Sequence, residues 1–365
     1  MSFDVILPFL RPIAHLIQDP AITEVMVNGS GRIFVERDGR LESVPGVTVR
    51  EQNLRVAVRN LARILGDDIS EEQPLLDSRL PDGSRVAAAL APVSLGGTTL
   101  TIRKFQSQTF TADELVRIGT LTASELQAIR QAMEARDNIL ISGGTGTGKT
   151  TLLNALAAFL PADDRLVVIE DTAELQLDAS NLVRFEARRE QPGLTPVTIR
   201  DLLRATLRHR PDRILVGEVR GGEAFDLLQA LNTGHSGTLS TIHANSAEQA
   251  LSRFTSCVLQ SGVDLPYAAV RYGISECLQV LAHLERRHGR RVLTQLVRVR
   301  RYDSAADRYD LAPLISSPAV DLSGRSGAFD EGHPHAATSM ENREHESDGG
   351  GISEAGLRRR RRTPR

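Results

Sequence analysis

The run Gly143-Gly144-Thr145-Gly146-Thr147-Gly148-Lys149-Thr150 limits what this chain can fold into more than any other stretch. The apolar segment "NILIS" leads into it and "TLLNALAAFL" leads out, so strand, glycine-rich loop and helix follow without a gap. That context is what the G-x-x-x-x-G-K-[ST] pattern requires of a phosphate-binding loop. The glycines let successive backbone N–H groups converge on phosphates, and the helix beginning near Lys149 adds its N-terminal field. Lys149 supplies a point charge at the β- and γ-phosphates, and Thr150 offers a hydroxyl to Mg²⁺. The expected nucleotide-binding set is therefore Gly143, Gly144, Thr145, Gly146, Thr147, Gly148, Lys149, Thr150 and the adjoining Thr151, with ATP and Mg²⁺ as ligands.

Alternation of strand-like and helix-like segments continues on both sides of the loop: "TASELQAIRQAMEAR", "RLVVIED", a helix over 198–209, "RILVGE", a helix over 222–232, "GTLSTIH" and a helix over 246–260. Such alternation predicts an open, mostly parallel α/β sheet, in which ligands bind beyond the carboxyl ends of the strands. Thr122, with Glu125 three residues on, reads as a capping box opening the first of these helices. Strands around 274–282 and 292–300 are expected to extend the sheet.

Three strand ends then belong beside the phosphate loop. The run Leu166–Ile169 delivers Glu170 and Asp171, with Glu174 a little further on; Glu174 reads equally well as an exposed carboxylate at a helix start. Ile214–Val216 delivers Glu218, where a P-loop enzyme holds the acid on its Mg²⁺ side; the same carboxylate can orient an attacking water. Thr238–Ile242 places His243 at a strand's carboxyl end, where an imidazole can hydrogen-bond a γ-phosphate and report its loss. His235, eight residues earlier, lies on the other side of that strand and reads equally as a structural histidine. Neither a third histidine nor a cysteine completes a zinc set around them.

With 365 residues, 41% of them hydrophobic, the chain can bury two domains. Residues 1–107 read as a smaller α+β domain: short strands over 22–44, a helix over 50–66 with Leu54, Val58, Leu61 and Leu65 on one face, and strands around a P-D-G turn ending near Phe105. A polar linker over 108–119 precedes a P-loop domain over 120–316. Residues 317–365, rich in Gly, Ser, Glu and Arg, read as a disordered tail. Its histidines (His333, His335, His345) follow from that composition, and its arginines Arg358 to Arg362 leave contact with lipid or nucleic acid open. Cys257 and Cys277 read as reduced core thiols. The opening "MSFDVILPFLRPIAHLI" is interrupted by Asp4, Pro8 and Arg11 and reads as an amphipathic element rather than a secretory signal.

The boxes "GGTGTGKTTLLNAL", "VVIEDTAEL", "RPDRILVGEVRGGEA" and "ALNTGHSGTLSTIHANSAEQALSRF" together resemble the secretion ATPases of type II and type IV systems, of the RecA-like P-loop class. The resemblance runs over roughly residues 10 to 305 and leans toward the conjugative-transfer branch, with tight-adherence pilus assembly as the alternative. It implies that Lys149 and Thr150 are the Walker A pair, Glu218 the Walker B acid, Glu170 and Glu174 members of an acidic box, and His243 the γ-phosphate sensor of a histidine box. It further implies that N-terminal arginines cap the nucleotide, nominating Arg85 and Arg103. A homohexamer at the cytoplasmic face of the inner membrane, working with membrane components of the secretion apparatus, is the expected assembly. In such a ring Arg204, Arg208 or Arg210 can reach a neighbour's site.

Two rivals stand beside this expectation. A RecA-like DNA helicase shares the loop and sheet but needs a nucleic-acid path; the formal charge of -2 and an aromatic content of 4% offer no basic–aromatic platform. A non-catalytic, nucleotide-dependent scaffold is disfavoured by the intact Lys149, Thr150 and Glu218.

Overall fold

The computed structural model describes residues 7–37, 39–105, 109–190 and 193–315. The first sheet is built from chain-local hairpins. After two single turns of 3-10 helix come α1 (Ala14–Gln18), β1 (Ile22–Asn28), β2 (Arg32–Arg37), β3 (Arg40–Ser43), α2 (Glu51–Ile64), β4 (Leu75–Arg79), β5 (Arg85–Ala89) and β6 (Thr99–Arg103). The strands lie antiparallel in the order β3-β2-β1-β6-β5-β4. Leu54, Val58 and Leu61 of α2 are buried and join the core of this sheet, as the helical spacing requires, while Leu65 at the helix end is only partly covered.

Register gives this sheet a feature that bears on function. Arg79 on β4 faces Arg85 on β5, and Arg85 faces Arg103 on β6. Direct cross-strand partners share a face, so three guanidinium groups stand in one row. Glu24 on β1 is the next member of that row.

The expected linker carries a helix of its own, α3 (Ala112–Arg117), opened by a capping box between Thr111 and Glu114. Polar Thr111, Asp113 and Glu114 are the composition of a capped helix start, which is why the stretch reads as loop. Residue 108 of that linker lies outside the described residues, as do 106 and 107 before it, the tail 317–365 with its histidines and arginine run, and the first six residues of the opening segment.

Next come α4 (Ala123–Glu134), whose Thr122–Glu125 capping box is formed, β7 (Ile139–Gly143), α5 (Lys149–Ala157), β8 (Leu166–Glu170), β9 (Leu182–Glu186), α6 (Ile199–Thr206), β10 (Arg213–Val219), α7 (Glu223–Asn232), β11 (Leu239–His243), α8 (Ala247–Leu259), α9 (Tyr267–Cys277), β12 (Val280–Arg287), β13 (Arg290–Asp303) and β14 (Arg308–Pro313). Their order in the second sheet is β14-β13-β12-β7-β11-β10-β8-β9. The pairings from β12 across to β9 are parallel, and β13 and β14 add antiparallel strands at one edge. Central strands β7 and β8 are buried at every position, as expected where helices cover both faces.

One strand expectation is corrected. The first half of 274–282 is the last turn of α9, with Val270, Ile274 and Cys277 buried at helical spacing, and the strand starts at Val280. Only Leu278 and Gln279 separate the two elements, so in "ISECLQVLA" the helical spacing runs into the strand with no turn residue to mark the boundary. Cys257 and Cys277 are free and buried. Among the described residues, no helix is long and apolar enough to cross a membrane.

Candidate functional site

The carboxyl edge of the second sheet is level. Gly143 at the end of β7 lies opposite His243 of β11 on one side and Leu284 of β12 on the other. Beyond β11, β10 carries Glu218, and beyond β10, β8 ends at Glu170, opposite Glu186 of β9. Parallel register thus sets side chains far apart in sequence at one height above the sheet.

The phosphate loop springs from that edge. A side chain at Gly143 would put its Cβ 2.5 Å from both the Leu284 carbonyl and Thr147 Oγ1, so the turn closes only around glycine. Thr147 Oγ1 donates to the Gly144 carbonyl at 2.9 Å and holds the loop shut. Thr145 and Gly146 are exposed, Thr150 and Thr151 half-buried. Thr145 and Gly146 form the tip of a hydrogen-bonded turn, and the first N–H groups of α5, from Lys149 on, have no intrahelical acceptor.

Lys149 reaches back over this loop. Its side chain is 8% exposed; Nζ donates to the carbonyls of Gly143 (3.1 Å) and Gly144 (3.0 Å) and lies 4.0 Å from Glu218 Oε1. Burial pulls its pKa down, Glu218 opposes that, and Arg220 adds to it. A buried ammonium held by two neutral carbonyls and one distant carboxylate is a cation short of an anion.

Glu218 is aimed by a bulge. The pairing of β10 with β11 slips between Val216 and Val219, and Thr241 Oγ1 donates to the freed Gly217 carbonyl at 2.6 Å. Gly217 leaves room for Glu170 there, since a Cβ would stand 3.0 Å from Glu170 Cγ. Bulges beside functional sites re-aim side chains in this way. Both carboxylate oxygens of Glu218 are engaged: Oε1 lies 2.7 Å from His243 Nε2, and Oε2 accepts from Arg220 Nε at 2.5 Å.

His243 completes the cluster, 3.2 Å (Nε2) and 3.4 Å (Nδ1) from Lys149 Nζ. Burial pushes its pKa below the usual histidine range; Glu218 pulls it back up, while Lys149 and Arg220 lower it further. The imidazole thus sits between the Glu218 carboxylate and the Lys149 ammonium, with Nε2 against both. His235 sits at the other end of β11, its Nδ1 3.1 Å from the Ala230 carbonyl at the close of α7, and takes no part in the cluster.

Glu170 is 2% exposed, with burial raising its pKa first of all and backbone amides pulling it down. Its Oε1 accepts from the N–H groups of Glu174 and Leu175 at 2.8 Å each, and Oε2 lies 3.5 Å from Arg184. Its contacts are those of a group that shapes the turn after β8. Glu174, on that turn, is exposed, and its charge is felt by Lys149 and Arg220.

From the first sheet, Arg85 donates to Thr172 Oγ1 at 2.6 Å and lies 3.6 Å from Asp171 Oδ2. Arg79, which no motif singles out, pairs with Glu186 and donates to the Ala173 carbonyl at 2.8 Å. Arg103 stands beside Arg85 in the row, within charge reach of Glu24. Arg204 is held by Asp226 of its own chain at 2.8 Å. Two further arginines were not among the expected site residues. Arg220 spans Glu218 and Asp171, and Arg291, from the β12–β13 hairpin, donates to the Gly146 carbonyl at 3.0 Å. Drawing the hairpin register around P-D-G would have found Arg79; the position of Arg220 two residues beyond the Glu218 acid was the signal for it.

The residues present fit a magnesium-bound polyphosphate. Free amides and a partner-poor ammonium suit the phosphates, and the Thr150 hydroxyl with the Glu218 carboxylate offers the hard oxygen donors that Mg²⁺ takes.

Residues 10–305 match the family described as type II/IV secretion system protein. Among known proteins, the conjugal transfer protein TrbB of Rhizobium radiobacter is 38% identical over 280 residues, covering 76% of this chain and 83% of its own. The type IV secretion system protein PtlH of Bordetella pertussis is 38% identical over 294 residues, covering 73% and 86%. Among solved structures, the ATPase DotB of Legionella pneumophila superposes with a TM-score of 0.56 at 20% identity, over 82% of each chain. At that identity the likeness concerns the fold alone.

Proposed function

The chain belongs to the type II/IV secretion system protein family, as a P-loop ATP hydrolase, and from this premise we propose that it is a homohexameric motor powering type IV secretion in conjugative transfer. Its place is the cytoplasmic face of the inner membrane, against membrane components of the apparatus. The observation that carries the enzymatic part is the convergence of Lys149, Glu218 and His243 within 4.0 Å of one another, above the phosphate loop. The conjugative assignment rests on the likeness to TrbB and PtlH.

In this reading the amides of residues 145–151 and the Lys149 ammonium bind and orient the β- and γ-phosphates of ATP. Thr150 and Glu218 would hold Mg²⁺, which when bound neutralises charge building on the phosphate oxygens. Glu218 takes the proton of a water as its oxygen bonds to the γ-phosphorus and the bond from that phosphorus to the β-phosphate oxygen breaks. His243 reads the γ-phosphate, and α8, which starts four residues on, carries the response. Residues 1–107 and 120–316 act as two domains joined by 108–119, and the arginine row of the first closes on the phosphates bound by the second. The exposed side of the loop at Thr145 and Gly146 leaves room for a neighbouring subunit.

Mass measurement by light scattering, taken alongside ATP turnover over a range of protein concentrations, tests the assembly. Six subunits per particle with nucleotide bound, and turnover per chain that rises as the particle forms, is the expected result. A monomer with full turnover at every concentration rules the ring out.

A further inference from the structure

We propose that Arg220 is a positioning residue for hydrolysis: it fixes the orientation of Glu218 and ties that carboxylate, through Asp171, to Arg85 of the first sheet. The inference rests on the reading of Glu218 as the group that accepts the water's proton.

The Arg220 side chain bridges two acids. Its Nε donates to Glu218 Oε2 at 2.5 Å, and a terminal nitrogen donates to Asp171 Oδ2 at 2.9 Å. Asp171 Oδ2 is shared, because Arg85 stands 3.6 Å from it while donating to the adjacent Thr172 hydroxyl. A continuous chain of charge therefore runs from Lys149 and His243 through Glu218, Arg220 and Asp171 to Arg85. Only a planar guanidinium can hold two carboxylates at fixed angles at once; an ammonium is a single point charge.

The backbone at Arg220 is anchored as well. Glu223 Oε1 accepts from the N–H groups of Arg220 (2.6 Å) and Gly221 (2.8 Å), and Arg253 of α8 donates to the Arg220 carbonyl at 3.2 Å. α8 is also the helix that follows His243, so the elements holding the two sides of Glu218 are mechanically joined. Half-exposed though its side chain is, Arg220 is held at both ends and is no free surface charge. When Arg85 leaves Asp171 for a phosphate, the whole Asp171 charge falls to Arg220, and the direction in which Glu218 points changes with it. Closure of the first sheet is in this way read at the hydrolytic carboxylate.

The test uses the full chain, measuring kcat and KM for ATP in Arg220→Gln, Arg220→Lys, Asp171→Asn and the Arg220→Gln/Asp171→Asn double variant, with Lys149→Ala alongside. Arg220→Gln should lower kcat about tenfold, a modest share of what misplacement of a reacting group can cost, with KM within about twofold of wild type. Arg220→Lys should resemble Arg220→Gln, since charge without the fork does not span both acids. The double variant should be no slower than Arg220→Gln alone, as two links of one chain are lost only once. A wild-type kcat in Arg220→Gln, full recovery by Arg220→Lys, or multiplicative losses in the double variant each overturn the proposal. If Arg220→Gln folds poorly by its thermal midpoint, the comparison of Arg220→Lys with Asp171→Asn decides in its place: equal losses of kcat support the proposal and an unaffected kcat in either overturns it. A Lys149→Ala variant as active as wild type overturns the underlying reading of the site instead; an inactive one beside a fully active Arg220→Gln overturns this inference alone.

Discussion

Lys149→Ala should all but abolish ATP turnover, by about 10²- to 10³-fold, the range for removing one pre-aimed charge from a developing transition state. The cause is visible in the structure: the ammonium is buried, leans on two carbonyls, and is depressed in pKa by that burial. A triphosphate would pair with this ammonium, so the loss of Lys149 should also weaken ATP binding about tenfold or more, the worth of a charge-assisted hydrogen bond. Alanine leaves the 145–151 amides in place, and for that reason some binding should persist. Steady-state phosphate release and equilibrium titration with a fluorescent ATP analogue measure the two effects. Turnover equal to wild type would remove Lys149 from the site.

Glu218→Gln should separate binding from chemistry. Glutamine keeps the shape and can still meet His243 and Arg220, but it neither carries the charge nor accepts the water's proton. Turnover should fall about 10²-fold or more, within the range for losing a general base. Nucleotide affinity should stay within a few-fold of wild type, because the phosphates are held by Lys149 and the loop. Single-turnover mixing with radiolabelled ATP gives the chemical step directly. Normal hydrolysis in this variant would shift the role to another carboxylate; Glu170 is a poor substitute, since its Oε1 is engaged by the Glu174 and Leu175 amides and its Oε2 lies against Arg184.

What could be read from residues alone, and what could not, follows from the range of the interactions involved. The phosphate loop is a local device, legible because strand, loop and helix adjoin in sequence. The parallel sheet was legible from alternation, and with it the prediction that the strand ends carrying Glu218 and His243 lie beside the phosphate loop. Contacts across that edge were not legible. Lys149 and His243 are 94 residues apart, and only register brings them to 3.2 Å. The bulge at Gly217–Glu218, which aims the carboxylate, is written as nothing more than a glycine before an acid. Arg79 and Arg220 do not stand out because an arginine at a strand end looks like a solvated charge until its cross-strand or cross-edge partner is known. β9 escapes notice because "LVRFE" at the sheet margin is only half-buried and lacks the apolar run that marks β7, β8 and β10.

Hydrogen exchange of Glu218→Gln, compared with ATP and with ADP bound, tests most directly whether γ-phosphate contact moves the arginine row of the first sheet. Protection should be greater with ATP in four segments: residues 79–85 and 99–103, which carry Arg79, Arg85 and Arg103; 171–174, which Arg79 and Arg85 touch; and 243–250, where His243 leads into α8. Identical exchange in these segments with the two nucleotides, at saturating occupancy of both, would contradict a γ-phosphate-driven motor and leave a hydrolase whose two sheets do not respond to what it hydrolyses.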